Sequence, residues 1–174
     1  MTTEGPPVTW LMPVKNGMPY LLDTLRSIEA QTYKNWRILV WDNGSTDGTL
    51  EELQRWIPSR LPGRIIADEP FSLGKSLARL VETAETELCA RTDADDVNYP
   101  ERLERQVEFL QVHPEVGLLG AEIEFIDVAG RVVPGAWEQD YSDAEIRWRL
   151  RWQGTVNHSA AMFRRASFAR SVRS

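Results

Sequence analysis

Short apolar runs alternate with helically spaced apolar positions through the first 112 residues. Val8-Thr9-Trp10-Leu11-Met12 has the pattern of a strand buried on both faces and ends at Pro13. Pro19 stands where a helix takes its first residue, and Leu21, Leu22, Leu25 and Ile28 predict a helix to about Gln31. Trp36 to Trp41 is a second buried strand. Leu50, Leu53, Trp56 and Ile57 mark the next helix, which Pro58 and Pro62-Gly63 end. Arg64 to Ala67 then reads as a strand, Leu73 to Ala84 as a helix, Leu88 to Thr92 as a strand, and Pro100 to about His113 as a helix carrying Leu103, Val107 and Leu110. Four strand–helix units in succession predict right-handed crossovers and a mostly parallel sheet with helices on both faces.

The rhythm changes after His113. Val116 to Asp127 is strand-rich, and Ala129-Gly130 predicts a hairpin turn into Val132-Val133. Ser142-Asp143-Ala144-Glu145 is a capping box. The stretch from Ile146 to Trp152 alternates with period two, but the cap and the Ile146–Leu150 spacing favour a helix there. Asn157 to Phe163 is expected to be a last strand, followed by the start of a helix.

The chain has 174 residues, one domain's worth, and its single cysteine, Cys89, excludes a disulfide framework and a cysteine-based zinc cluster. Cys89 reads as core. No apolar run approaches the length of a membrane helix, and the N-terminus lacks the pattern of a secretory signal. A cytoplasmic protein is expected. Net charge is −6, unevenly spread: all 26 acidic residues lie at or before Glu145, and seven arginines and no acid follow it. An acidic body argues against nucleic acid as a partner. The basic tail either pairs with acids of the same protein or faces an anionic ligand or a membrane surface, which would make the membrane contact peripheral. Oligomeric state is not legible.

In an open parallel sheet, ligands bind beyond the carboxyl ends of the strands. Three polar segments follow such ends: Pro13-Val14-Lys15-Asn16, Asp42 to Gly48, and Asp93-Ala94-Asp95-Asp96. Three carboxylates in four residues repel one another. A divalent cation removes the conflict, and oxygen ligands select Mg²⁺, Mn²⁺ or Ca²⁺; the alternative is an acidic cap on the next helix. An EF-hand is excluded, because Val97 and Asn98 stand where a ligand and a glycine belong. Asp42 either recognises a nucleotide or forms an Asx-turn with Asn43. No Gly-x-Gly-x-x-Gly or Walker A loop is present. His113 marks a helix end, and His158 reads as structural. Trp148 and Trp152, with arginines between them, suit a sugar or lipid surface or plain helix packing equally.

Taken together, the loops resemble family 2 glycosyltransferases of the GT-A fold. The resemblance is carried by Val8 to Asn16, Ser27-Ile28 with Gln31-Thr32-Tyr33, Val40 to Thr49, Ala90 to Asp96 with its Asp-x-Asp pattern, Pro100-Glu101-Arg102-Leu103, and His158 to Arg165. It covers nearly the whole chain and implies a Rossmann-like, mostly parallel sheet flanked by helices, with a small antiparallel extension. Residues 1–174 would form one GT-A-like domain: about 1–112 the nucleotide-sugar-binding half, about 113–174 a partial acceptor-side half.

By this resemblance, a nucleotide-sugar donor (a UDP-sugar) lies across Pro13, Val14 and Asn16, with Asp42 on the base. Asp93 contacts the ribose or diphosphate region, and Asp95 ligates Mn²⁺ or Mg²⁺, with Asp93 as the second candidate ligand. The implied reaction is inverting transfer to the hydroxyl of a carbohydrate or lipid-linked acceptor, in cell-wall or polysaccharide synthesis. Pro70 and Ala78 replace an asparagine common near the third helix, so Phe71 to Lys75 is a variant loop in which Lys75 is a candidate phosphate or base contact. The family's catalytic base belongs to a Glu-Asp motif after the Met-Phe-Arg-Arg strand and is expected beyond Ser174; within the chain, Glu122, Glu124 and Asp140 are the candidates. A non-catalytic nucleotide-sugar-binding module, or an inactive fragment of such an enzyme, is the alternative.

Overall fold

The computed structural model describes residues 5–137, 141–149 and 155–171. The predicted alternation is present: β1 (Val8–Val14), α1 (Leu21–Glu29), β2 (Trp36–Asp42), α2 (Thr49–Trp56), β3 (Gly63–Ile66), α3 (Leu73–Thr83), β4 (Leu88–Arg91) and α4 (Arg102–Val112). Next come β5 (Leu118–Leu119), β6 (Ile123–Ile126), β7 (Val132–Trp137), α5 (Asp143–Arg149), a 3₁₀ turn (His158–Ala160), β8 (Met162–Arg164) and α6 (Arg165–Ser171).

Six strands form one sheet in the order β3-β2-β1-β4-β8-β5. β3, β2, β1 and β4 run parallel, and β8 is antiparallel to both β4 and β5. The period-two alternation of β1 feeds two cores. Val8, Trp10, Met12 and Val14 pack on one face with Leu21, Leu25 and Ile28 of α1, Leu53 and Trp56 of α2, and Leu103, Val107 and Leu110 of α4. Leu11 faces the other side with Leu39, Trp41, Cys89 and the α3 residues Leu80 and Val81. β6 and β7 form a separate antiparallel hairpin, turned at Gly130 (φ 74°).

Four boundaries differ from the sequence reading. Pro13 does not end β1: it lies inside the strand opposite Trp41. Alternate residues of a parallel strand address opposite neighbours. The Val14 carbonyl accepts from Asn43, beyond β2, and the Leu11 carbonyl accepts from Thr92, beyond β4. Pro13 therefore turns its missing N–H toward the β4 side, where pairing has already stopped at Arg91. Pro19 precedes α1, which starts at Leu21, and Pro100 precedes α4, which starts at Arg102.

The fourth difference is the predicted last strand. Its first half is a 3₁₀ turn, because the Asn157 side chain accepts from the Ser159 N–H and hydroxyl and caps a turn instead. The capping box is realised: Ser142 and Glu145 bond reciprocally at the start of α5. The rest of the predicted helix after Arg149, with Trp152, lies outside the described residues.

Candidate active site

The chain runs outward from β1 to β2 and β3, then returns to place β4 on the other side of β1. The two loops leaving β1 and β4 therefore diverge at a topological switch point, where an open sheet offers a crevice. A cavity of about 460 Å³ lies there, lined by Pro13, Val14, Lys15, Asn16, Gly17, Met18, Tyr20, Asp93, Ala94 and Asp95. Five of the seven predicted site residues thus share one cavity: Pro13, Val14, Asn16, Asp93 and Asp95. Gly17 permits the approach of its two walls, since a Cβ there would lie 3.2 Å from that of Ala94.

Asp42 does not line this cavity; it ends β2 opposite Val14, which does. Asp42 is buried. One carboxylate oxygen accepts the N–H groups of Gly44 and Ser45, both at 3.1 Å; Oδ1 is buried with no hydrogen-bond partner. The Asx-turn is therefore real and uses only half of the carboxylate. Its neighbour Asn43 turns away from the cavity, accepting from Phe71 N–H at 2.8 Å and the Ser76 hydroxyl at 2.9 Å. That pair pins the variant loop 71–75. Lys75 does not line the cavity: its ammonium sits 3.6 Å from the centre of the Phe71 ring, which itself stacks on Trp41.

The loop after β2 is tied to the loop after β1 by four side-chain bonds, one of them from Thr46 N–H to Asn16 Oδ1. Ser45 Oγ accepts from Asn16 N–H, Thr49 Oγ1 from Gly17 N–H and Asp47 from Met18 N–H. The Thr49 hydroxyl is the first of several donors that hold the Asp47 carboxyl below the ordinary range.

At the end of β4 the three acids are in different states. Asp93 receives both terminal nitrogens of the buried Arg91, at 2.7 and 3.1 Å. Asp96 accepts from the Asp93 N–H at 3.3 Å, closing a local turn. Asp95 is exposed to the cavity, and partial burial, then the charges of Asp96 and Asp93, raise its carboxyl above the usual value. The repulsion read from the sequence is thus partly relieved by Arg91, a counter-ion that the spacing of acids did not reveal. His158, expected to be structural, is exposed, with Nδ1 4.0 Å from Asp93 Oδ2.

Gln31 ties α1 to the segment that follows this loop. The buried Gln31 donates to Tyr99 O at 2.8 Å and accepts from Leu103 N–H at 3.1 Å. Arg102 donates to Asn98 and to Arg91 O; burial pushes its guanidinium down to about 10. Neither Glu122, which is exposed, nor Glu124, which accepts from the Tyr99 hydroxyl, lines the cavity. Asp140 lies outside the described residues. In the basic tail, Arg164 pairs with Glu87 and Arg147 with Asp143. Trp148 is 62% exposed.

Among the described residues, no three His, Cys, Asp or Glu side chains are grouped to hold a metal ion. With Asp93 engaged by Arg91, the donor set is not a protein cage. It would suit a hard cation held by one carboxylate, Asp95, with its remaining ligands supplied from outside the protein.

Comparison with known proteins identifies the family and the fold. The chain is 30% identical to EpsE of Bacillus subtilis over 178 aligned positions, covering 98% of this chain and 62% of EpsE. It is 31% identical to the amylovoran biosynthesis glycosyltransferase AmsE of Erwinia amylovora, covering 81% of this chain and 53% of AmsE. Among solved structures, S. aureus TarS 1–349 superposes with a TM-score of 0.74 at 22% identity, over 95% of this chain and 49% of that one. The mannosyltransferase PcManGT of Pyrobaculum calidifontis, solved with GDP-Man and Mn²⁺, superposes with a TM-score of 0.69 at 22% identity, over 97% of this chain and 47% of that one. The architecture is that of the GT-A fold. The chain spans 62% of EpsE and about half of AmsE, TarS 1–349 and PcManGT. The model for glycosyl transferase family 2 matches residues 9–171, nearly the full length of the sheet and its helices, and the chain belongs to that family.

Proposed function

We propose that this chain supplies the donor-binding half of a glycosyltransferase that moves a sugar from a nucleoside diphosphate, UDP in the first instance, to an acceptor hydroxyl with inversion. The observation that carries the reading is the orphaned Oδ1 of Asp42, buried with no partner at the end of β2 beside the cavity residue Val14. A buried carboxylate oxygen left unpaired is costly, and an N–H of a planar base bound beside β1 would satisfy it. Pro13, Val14 and Asn16 would flank the nucleotide, with the Asp93–Asp95 wall facing the diphosphate and sugar.

A divalent cation bound at Asp95, Mn²⁺ or Mg²⁺, would neutralise charge on the departing diphosphate. The chain's own residues orient the donor: Asp42 fixes the base, and the linked loops after β1 and β2 hold the nucleotide's register. The acceptor oxygen attacks the anomeric carbon as the bond to the diphosphate breaks, and a carboxylate takes the hydroxyl proton. The described residues lining the cavity supply no base beyond Asp93 and Asp95. TarS has also been solved with UDP-GlcNAc, and AmsE is named for amylovoran biosynthesis. AmsE, with TuaG of Bacillus subtilis named for teichuronic acid biosynthesis, supports a role in cell-wall or polysaccharide synthesis; the proposed acceptor is a carbohydrate or a lipid-linked one. No helix among the described residues is long and apolar enough to cross a membrane. We place the protein in the cytoplasm, with any membrane contact peripheral.

The test is calorimetric titration of UDP and GDP into the chain, with Mn²⁺ and with a chelator. UDP binding that requires the cation is expected. Equal affinity in both conditions removes the cation from the proposal, and no binding of either nucleotide removes the proposal.

A further inference from the structure

We infer that Arg91 is a positioning residue: its guanidinium occupies both oxygens of Asp93 and so keeps that carboxylate out of the cation's coordination shell. The inference rests on the donor-site reading above and concerns a residue that motif matching passes over.

Arg91 is the last residue of β4, 4% exposed, and its backbone is fixed by the bond from its N–H to Ala161 O at 2.8 Å. Nη2 donates to Asp93 Oδ1 at 2.7 Å and Nη1 to Oδ2 at 3.1 Å, a two-pronged pair that sets orientation as well as charge. Its Nε is buried with no partner. Asp93 is the carboxylate that Arg91 hydrogen-bonds among the described residues. His158 Nδ1 stands 4.0 Å from Oδ2.

A carboxylate with both oxygens on a guanidinium is charge-neutralised. It retains lone pairs for weak acceptance, as from a sugar or ribose hydroxyl, and is a poor competitor for a dication. Asp95, two residues on, accepts no hydrogen bond from another side chain among the described residues and is exposed to the same cavity. One pattern of two aspartates is thereby divided into a hydroxyl acceptor and a metal ligand by a third residue. The division follows from strand geometry: Arg91 and Asp93 lie two apart on an extended segment, and their side chains share one side.

The experiment measures Mn²⁺ binding to the chain with UDP present, by the loss of the electron paramagnetic resonance signal relative to a UDP-only control, and UDP binding by calorimetry at saturating Mn²⁺. Asp95→Asn should weaken Mn²⁺ binding by about tenfold or more, and Asp93→Asn by less than about twofold. Arg91→Met should release Asp93, so Mn²⁺ binding tightens while UDP binding weakens. Arg91→Met with Asp93→Asn should return Mn²⁺ affinity to the wild-type level. A purely structural role for Arg91 cannot raise metal affinity. Equal losses in the two aspartate variants overturn the inference, and that comparison stands even where Arg91→Met does not fold. So does a folded Arg91→Met chain with unchanged or weaker Mn²⁺ binding. A wild-type chain that binds neither Mn²⁺ nor UDP overturns the donor-site reading itself, whereas failure of the variant pattern alone leaves that reading in place.

Discussion

Asn16 and Thr46 join the loops that leave two neighbouring strands. The Asn16 side-chain oxygen accepts the Thr46 N–H at 2.9 Å, while the Asn16 N–H donates to Ser45 Oγ at 2.9 Å. Asn16 does this from left-handed backbone, φ 55°, a region asparagine enters more readily than most residues. The wall of the cavity and the loop carrying Asp42's turn partners are thus held in one register.

Replacing Asn16 separates the two contributions. Asn16→Ala loses the bond and keeps the left-handed demand, and should cost about 1–2 kcal/mol. Asn16→Gly loses the bond but relieves the backbone, and should cost roughly half as much. Urea denaturation of both variants checks the order. A larger loss in the glycine variant would show that backbone conformation is not what Asn16 contributes.

Asp42→Asn should leave folding nearly unchanged, because an amide oxygen can still accept from Gly44 and Ser45. It turns an amide donor toward the position of the orphaned oxygen, where the proposed base also donates. UDP affinity should fall by about 1.5–3 kcal/mol, the range for a hydrogen bond to a charged group, as read by calorimetry. Retained affinity would mean that the base binds elsewhere.

Cys89 is fully buried between the sheet and α3, and burial pushes its thiol from an ordinary 9.0 up to about 12. The folded chain keeps a proton that the unfolded chain releases above about pH 9. Stability is therefore fully present below pH 9 and declines as pH rises toward 12. Thiol labelling at pH 8 should be negligible in buffer and complete in denaturing urea. Rapid labelling of the native chain would contradict the packing of β4 against α3.

Two glycines should respond in opposite directions to alanine. A Cβ on Gly63 would lie 2.0 Å from the Ile38 carbonyl oxygen, backbone that cannot yield without opening β2 from β3. Gly63→Ala should cost on the order of 3 kcal/mol. Gly74, in the first turn of α3, has open space around its Cβ position. Gly74→Ala should stabilise by up to about 0.5–1 kcal/mol. Thermal melting of the two variants reads the contrast.

The parallel strand–helix alternation was legible because both periodicities are local. The 3.6-residue spacing of Leu21, Leu25 and Ile28 and the apolar run of β1 are properties of adjacent residues. Ser142 and Glu145 form their cap whatever lies elsewhere. The three polar loops were legible as candidates for the same reason, since an acid or asparagine directly after a buried strand stands out in the chain itself. The place of Lys75 was not legible: its ammonium lies over the Phe71 ring and does not line the cavity, a contact set by the folded loop.

What the tertiary structure alone decided is how distant segments share partners. Pro13 continues its strand because β4 stops two residues short of it, a fact about a neighbour roughly eighty residues away in the chain. β8 enters the sheet antiparallel between β4 and β5, and it begins late because Asn157 caps its own turn. Asp93 and Asp95 look alike in sequence and differ in the folded chain, where a buried arginine meets one and solvent meets the other. Local periodicity specifies which residues face a core. Hydrogen-bond and charge partners are set by register between strands, which no short window of sequence contains.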